Sequence, residues 1–248
     1  MTYKVIDVSY WQGAINWKQV YADGVRGAII RFADGMMADS RFTSNMQNAK
    51  AAGLHVGAYI FSRALNLKQA REEAKRIIKA CKPYKCDLPL YIDLEWSEQA
   101  QIANALATAY LDECDKQGVK GGIYANLNWF KNYINAKKFA KYPLWIAQYN
   151  DKMTHENPDL FGMWQYSSKG RVKGISGNVD MNKLYIAYWD QDKPKETKKK
   201  AAKKSVTTIA KEVIVGKWGN GEERKKKLEK AGYDYKAVQK KVNELMKK

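Results

Sequence analysis

Short apolar runs alternate with longer amphipathic segments through the first three quarters of the chain. The runs are rich in Val, Ile, Tyr and Trp, which is typical of buried strands. Turn-forming and charged residues separate most of them. Eight runs are predicted as strands, at residues 4–9, 27–32, 55–61, 88–95, 121–125, 144–149, 162–166 and 178–182.

Apolar residues recur at helical spacing between the earlier strands. Phe42, Met46 and Ala49 share one face of a segment at 40–52, and longer helices are predicted at 67–80 and 98–117. Shorter helices are predicted at 17–23 and 128–136. Repeated strand and helix predicts an α/β fold, an irregular (β/α) barrel of eight strands and about five helices, whose last strands lack helices.

The last quarter of the chain has a different pattern. Residues 191–204 combine a block of lysines with no apolar period, so we expect a solvated linker between a barrel domain at 1–190 and a module at 205–248. Within that module, Val206, Ile209 and Val213 form one stripe, and two further helical segments follow. The pattern predicts a small all-α bundle of three helices.

Two acids close the fourth predicted strand, in Asp93-Leu94-Glu95. Residues two apart on a strand point to the same face, so both carboxyl groups should project together. Asp7 and Asp180 lie near the ends of the first and last predicted strands. Because the carboxyl ends of barrel strands meet at one mouth, we expect all four acids to gather there. Paired carboxyl groups are what glycosidic bond cleavage needs.

Aromatic residues cluster around the same strand ends. Flat side chains match the apolar faces of sugar rings, but aromatics are equally common as strand core residues. Arg31 ends the second strand, where it could bind substrate or serve as an internal partner for an acid. The candidate sugar-binding aromatics are Tyr59, Phe61, Tyr124, Trp145, Tyr149 and Trp164.

Composition narrows the class of partner and excludes several kinds of site. The net charge is +18, and residues 190–248 carry 19 Lys and Arg against 9 Asp and Glu, so this quarter supplies +10 of it. Nucleic acid and the polyanionic bacterial wall could both attract such a tail.

His55 and His155 lie far apart and the three cysteines are sparse, so we expect no metal, no cofactor and no disulfide framework.

Membrane insertion is not expected, because no stretch approaches 18 consecutive apolar residues. The start of the sequence lacks the apolar core of a secretory signal. We therefore expect synthesis in the cytoplasm of a host cell and action on the wall after release.

Several motifs, in order and spacing, resemble glycoside hydrolase family 25, the Chalaropsis-type lysozymes, many of which are phage endolysins. The resemblance covers residues 3–188 and implies a β/α barrel that cleaves between N-acetylmuramic acid and N-acetylglucosamine in peptidoglycan. One departure is that the family's frequent Tyr-His-Phe reads Tyr59-Ile60-Phe61 here. The motifs are Asp7-Val8-Ser9-Tyr10-Trp11-Gln12-Gly13, Tyr91-Ile92-Asp93-Leu94-Glu95, Trp164-Gln165-Tyr166 and Gly177-Asn178-Val179-Asp180.

The resemblance implies a role for each acid. Glu95 corresponds to the general acid and base, Asp93 to the acid that orients the substrate's acetamido group or supports the transition state, and Asp7 and Asp180 to flanking carboxylates. Two retaining routes stay open: attack by the substrate's own acetamide, which we favour, or attack by Asp7. A carboxyl that acts as an acid near neutral pH needs a raised pKa, which burial and neighbouring anions supply.

The tail resembles the short cell-wall-binding repeat of certain phage lysins. Its motifs are the run from Val215 to Arg224, then Ala231-Gly232-Tyr233-Asp234-Tyr235 and Val238-Gln239. Trp218 could stack on a sugar or form the module's core, and Arg224 could pair with a carboxylate or be a solvated charge. One copy gives little avidity, so weak self-association through the module is a further expectation.

Three alternative hypotheses differ from that of a muramidase that acts on peptidoglycan. A non-catalytic lectin-like wall-binding protein would not need the four acids. Nucleic-acid binding through the basic tail predicts steeply salt-dependent affinity for DNA, and we do not expect it. A chitinase-type barrel would place a further Asp at position 91, where this chain has Tyr91.

Overall fold

Eight strands close into a barrel in the computed structural model, which describes residues 2–191 and 204–247. Contacts divide the chain into a barrel unit, residues 1–192, and a tail unit, residues 193–248. Most of the predicted linker lies outside the described residues. The strands are β1 (Tyr3–Val8), β2 (Gly27–Asp34), β3 (Met37–Ala38), β4 (His55–Phe61), β5 (Leu90–Asp93), β6 (Gly121–Asn126), β7 (Leu144–Ala147), β8 (Met163–Gly170) and β9 (Val179–Leu184).

The barrel closes because β1 pairs with β2 on one side and with β9 on the other. The order around it is β1-β9-β8-β7-β6-β5-β4-β2, and the short β3 pairs with β2 as a hairpin outside the ring. The prediction of an eight-strand barrel is therefore confirmed, and the sequence pattern missed only the added β3 hairpin among the described strands. The five predicted barrel helices also form, with α6 in addition. The helices of the barrel unit are α1 (Trp17–Ala22), α2 (Phe42–Ala51), α3 (Leu67–Cys81), α4 (Ala103–Lys116), α5 (Leu127–Asn132) and α6 (Tyr188–Gln191).

The direction of β9 differs from the expectation of a parallel barrel. β9 runs antiparallel to both β1 and β8, whereas the other seven ring strands are parallel to one another. The loop before β9 is short and carries no helix, and a connection of that length joins antiparallel strands. The amino end of β9 therefore lies at the carboxyl ends of the parallel strands.

Two apolar layers hold the barrel together. One fills the space between the sheet and the helices, where Ile60, Ile77 and Leu106 are completely buried. The other fills the barrel interior, where Tyr91 and Trp145 pack with their ring centroids 5.2 Å apart. Gly122 permits this packing, since a Cβ there would lie 2.5 Å from the Tyr91 ring.

The tail unit contains three helices, as the sequence predicted: α7 (Val206–Ile214), α8 (Gly221–Lys230) and α9 (Tyr235–Met246). Ser205 and Asp234 cap α7 and α9 by accepting hydrogen bonds from backbone N–H groups of the first turn. The small core comprises Ile209, Ala210, Val213, Leu228, Val238 and Val242. No helix within 2–191 or 204–247 has the length and apolar character needed to cross a bilayer.

Candidate active site

The barrel brings the four predicted acids to one mouth. Asp93 is the last residue of β5 and Glu95 lies two residues beyond it. Asp7 lies in β1 directly opposite Asp180 of β9. Asp180 is therefore at the amino end of its strand, not at the carboxyl end as predicted, and it reaches the mouth because β9 is antiparallel.

Asp7 is held by two buried amides. Its Oδ2 accepts hydrogen bonds from Gln165 Nε2 at 3.0 Å and from Asn182 Nδ2 at 2.8 Å. Burial, together with the charge of Asp180, raises the pKa of Asp7 well above its usual range, although the two amides act against this. A hydrogen bond joins the carboxyl groups of Asp7 and Asp180, and it raises the pKa of Asp7 further while it lowers that of Asp180.

The same amides connect Asp7 to the aromatic lining. Gln165 Oε1 accepts from the hydroxyls of Tyr124 at 3.0 Å and Tyr149 at 2.9 Å. Asn182 Oδ1 accepts from Trp145 Nε1 at 2.8 Å. Each amide thus accepts from an aromatic side chain through its oxygen and donates to Asp7 through its nitrogen. These bonds fix the orientation of the Gln165 and Asn182 side chains.

Asp93 is almost completely buried, with 3% of its surface exposed. Burial raises its pKa well above the usual range, and the charges of Glu95 and Asp7 add to the shift. Among the described residues, its Oδ1 has no hydrogen-bond partner. A neutral carboxyl group with an uncommitted oxygen at a sugar-binding mouth can hydrogen-bond an incoming amide or hydroxyl.

Glu95 is less enclosed than Asp93. Burial raises its pKa, a hydrogen bond from Asn126 lowers it, and the charge of Asp180 raises it again. Asn126 ends β6 and also caps α5, since its Oδ1 accepts from Trp129 N at 3.2 Å. The pKa of Glu95 is thus shifted in the direction that a proton donor needs, and Asn126 stabilises its ionised form.

The predicted aromatics divide into those at the mouth and those beneath it. Tyr149 is 55% exposed, and Tyr59 and Phe61 are partly exposed at the end of β4. Tyr124 and Trp145 lie inside the barrel with 7% and 1% of their surface exposed. Trp145 therefore supports Asn182 from below and has no face open to substrate.

Trp164 and Arg31 do not fit direct substrate contact. Trp164 packs in the layer outside the barrel and donates to Gln148 O at 2.8 Å, because it alternates with the inward-facing Gln165. Arg31 Nε bonds to Asp39 Oδ2 at 3.0 Å, and the Asp39 side chain is fully buried. Of the two interpretations of Arg31, the structure shows the internal partner for an acid.

The position at which the family frequently has histidine, Ile60 here, also lies away from the mouth. Ile60 is completely buried between the sheet and the helices, while its neighbours Tyr59 and Phe61 face the barrel side. Position 60 therefore has no route to substrate in this chain.

Pattern reasoning missed Asn126, Gln165, Asn182 and the pair Tyr10 and Trp11. Asn182 lies two residues after Asp180, so the argument used for Asp93 and Glu95 would have placed it on the same face. Tyr10 and Trp11 follow β1 in a turn of 3₁₀ helix, stacked with centroids 4.5 Å apart, and Trp11 is 71% exposed.

Metal-ligating groups are a separate question. Within the described ranges, no set of three His, Cys, Asp or Glu side chains has an arrangement that could hold a metal ion.

In the tail unit, Trp218 and Arg224 bond within the unit. Trp218 Nε1 donates to Glu212 Oε2 at 3.0 Å, and its ring meets Tyr233 edge to face. Arg224 donates to Gly219 O at 2.9 Å, to the Asn220 side chain and to the Gln239 side chain. Both side chains remain partly exposed.

Comparison with known proteins gives two family matches. The profile of glycosyl hydrolases family 25 matches residues 6–175, and that of the CW_7 repeat matches residues 207–246. Both matches confirm the resemblances inferred from the motifs.

Individual relatives agree with these matches. Lysozyme M1 of Streptomyces globisporus is 31% identical over 199 residues, and the autolytic lysozyme of Clostridium acetobutylicum is 28% identical over 184. These alignments cover 72% and 73% of this chain, but only 66% and 55% of the two lysozymes. Among solved structures, the CTP1L endolysin matches with a TM-score of 0.68 and 28% identity, over 76% of this chain and 68% of that one.

Proposed function

The chain belongs to glycosyl hydrolase family 25, and from that premise we propose that the barrel unit is a muramidase. Its substrate is the β-1,4 bond between N-acetylmuramic acid and N-acetylglucosamine in bacterial peptidoglycan. The observation that carries the proposal is Glu95, a partly buried carboxyl group with a raised pKa at the same mouth as the buried Asp7 and Asp93 and the partly buried Asp180. The lysozyme names of its relatives support the same reaction.

Glu95 donates the proton to the leaving glycosidic oxygen. Burial raises the pKa of this group and so favours the protonated form, and loss of the proton leaves a carboxylate that Asn126 stabilises. The same carboxylate then acts as the base that takes a proton from the attacking water in the second step.

Asp93 positions the acetamido group of the sugar. Its buried, neutral carboxyl group has an uncommitted oxygen that can hold the acetamide in place for attack on the anomeric carbon. The chemistry is then retention through an intermediate formed by the substrate itself.

Asp7 is poorly suited to be the nucleophile. It is 4% exposed, burial raises its pKa well above the usual range, and two amides occupy its Oδ2. A nucleophilic carboxylate must be ionised and must reach the anomeric carbon. We therefore assign to Asp180 the negative charge beside the developing cation, and to Asp7 the role of holding Asp180 in place through the hydrogen bond between them.

The exposed aromatics supply sugar contacts. Trp11 with Tyr10 on one side of the mouth, and Tyr149 on the other, present flat faces for glycan rings. Tyr59 and Phe61 line the floor between them, above the buried Tyr124.

The tail unit binds the cell wall and brings the barrel unit to it. The CW_7 match covers residues 207–246, which include all three helices, and the basic charge of the unit favours polyanionic walls. Tethering raises the local concentration of the barrel unit at its substrate. This arrangement agrees with an endolysin that works on the wall after release from the host cell.

Replacing Glu95 with Gln tests the proposal. Glu95→Gln keeps the shape and removes the proton donor, so the rate on purified walls should fall by about 10²- to 10⁴-fold. Glu98→Gln, an exposed glutamate three residues on, is the matched control and should leave the rate unchanged. Mass spectrometry of the products should show reducing muramic acid ends.

Other outcomes would overturn the proposal. Reducing glucosamine ends would mean that the other glycosidic bond is cut. Wall binding by the wild type with no release of ends would point to a lectin-like protein.

A further inference from the structure

Arg63 places a cation beside the acids and aromatic side chains of the mouth. It follows β4 by two residues, and Ser62 N between them donates to Asp93 O at 3.0 Å. Its guanidinium lies 4.4 Å from the centre of the Phe61 ring and 5.1 Å from that of Trp96, the residue after Glu95. Both of these rings are thus neighbours of the proposed catalytic acids.

The guanidinium is held in place, but not all of its N–H groups have a described hydrogen-bond partner. Arg63 Nε and Nη2 bond to the two carboxylate oxygens of Asp34 at 2.7 and 3.2 Å. A guanidinium has five N–H groups, and the described contacts of Arg63 account for two of them. The side chain is 43% exposed, so the remaining donors can reach a ligand.

Arg31 differs from Arg63 in its exposure and in the burial of its acidic partner. Its side chain is 14% exposed, and its Nε is committed to the buried Asp39. The Arg63–Asp34 pair is exposed on both sides, and a pair of that kind contributes little to stability. The ion pair with Asp34 therefore contributes too little stability to explain why Arg63 lies over two rings beside the acids.

The substrate supplies a group that needs such a cation. Muramic acid carries a lactyl group whose carboxyl is either free or joined to an acidic stem peptide. A carboxylate brought to the mouth would be repelled by the charge of Asp180 unless a cation receives it. Guanidinium groups match carboxylates in both charge and geometry.

We propose that Arg63 binds a carboxylate carried by the muramoyl residue of the substrate and thereby sets the position of the glycan relative to Glu95. The inference rests on the proposed muramidase function. Arg63 is a specificity-determining residue, and Phe61, Trp96 and Asp34 orient its guanidinium.

The test compares three substrates that differ in their carboxylates. The first is intact peptidoglycan fragments with their stem peptides. The second is the same glycan after amidase treatment, which leaves a free lactyl carboxylate. The third is the amidase-treated glycan with that carboxylate coupled to a neutral amine.

Arg63→Met is the informative variant because it removes the charge and keeps a side chain that packs on aromatic rings. We expect KM to rise about tenfold on a substrate with the recognised carboxylate, with kcat much less affected, and no change on the neutral glycan. A rise on intact fragments alone assigns the carboxylate to the stem peptide. A rise on the amidase-treated glycan assigns it to the lactyl group.

Two control variants separate recognition from structure. Arg26→Met removes a second arginine stacked on an aromatic ring, Tyr21, just before the amino end of β2, and should change KM on none of the substrates. Asp34→Asn weakens the hold on the guanidinium but keeps the Arg63 charge, so it should raise KM on the recognised substrate by less than Arg63→Met does.

An equal KM rise on all three substrates, or no rise on any, would overturn the assignment of Arg63. So would the same loss in Asp34→Asn. If the wild type releases no ends from any of the three, the proposed function itself fails, and the assignment falls with it.

Discussion

Asp7 and Asp180 face each other across the β1–β9 ladder, and a hydrogen bond joins their carboxyl groups. Burial and the charge of Asp180 raise the pKa of Asp7 well above its usual range. The charge of Asp180 also adds to the rise that burial causes in the pKa of Glu95. Asp180 thus favours the protonated form of Glu95 from the opposite side of the mouth.

The first prediction concerns the alkaline limb of the pH–rate profile. Asp180→Asn removes a charge that favours protonated Glu95, so the pKa of Glu95 should fall. Glu95 must be protonated to act as the acid, and the rate is lost as the pH rises through its pKa. The alkaline limb of kcat/KM on soluble glycan should therefore move to lower pH.

Asn126→Ser provides the opposite shift. Ser still caps α5 but lacks the amide donor that lowers the pKa of Glu95, so the alkaline limb should move to higher pH. Shifts in the same direction for both variants would contradict this account of the Glu95 electrostatics.

A second prediction concerns stability. Asp93 has a folded-state pKa well above its ordinary value of 3.8, because it is buried near Glu95 and Asp7. A carboxyl group of this kind costs no stability below its unfolded pKa, and the cost grows as the pH rises toward the folded pKa. Asp93→Asn removes the cost, so the barrel unit should gain about 0.5–2 kcal/mol at neutral pH.

Thermal unfolding at two pH values checks this prediction. At pH 7 the melting temperature of Asp93→Asn should exceed that of the wild type by about 2–4 °C for each kcal/mol gained. Near pH 4 the two proteins should melt together. A gain of the same size at both pH values would show that titration of Asp93 is not its source.

The barrel was predictable because its signals are local. An apolar run that ends in Asp93-Leu94-Glu95 places two carboxyl groups on one face at the end of a strand, whatever the rest of the chain does. Helix signals were equally local, and the predicted helix at 67–80 forms as α3, which Asn66 caps.

The parts that were missed depend on pairing between distant segments. The direction of β9 is set by its ladders with β1 and β8, and the sequence of β9 does not contain that information. Gln165 and Asn182 look like ordinary polar strand residues until the barrel closes and both point at Asp7. Trp164 was placed at the mouth because the phase of β8 was not known.

The last prediction concerns Arg224 in the tail unit. Its three hydrogen bonds join the turn before α8, at Gly219 and Asn220, to Gln239 on α9. Arg224→Met should therefore destabilise the tail unit by about 1–3 kcal/mol. Calorimetry of the full chain should show a lower transition for the tail unit and an unchanged transition for the barrel unit. Lys226→Met, which removes an exposed charge from the same helix, should leave both transitions in place. If Arg224→Met weakens binding to purified walls while both transitions stay unchanged, the side chain contacts the ligand directly and its bonds within the tail unit are secondary.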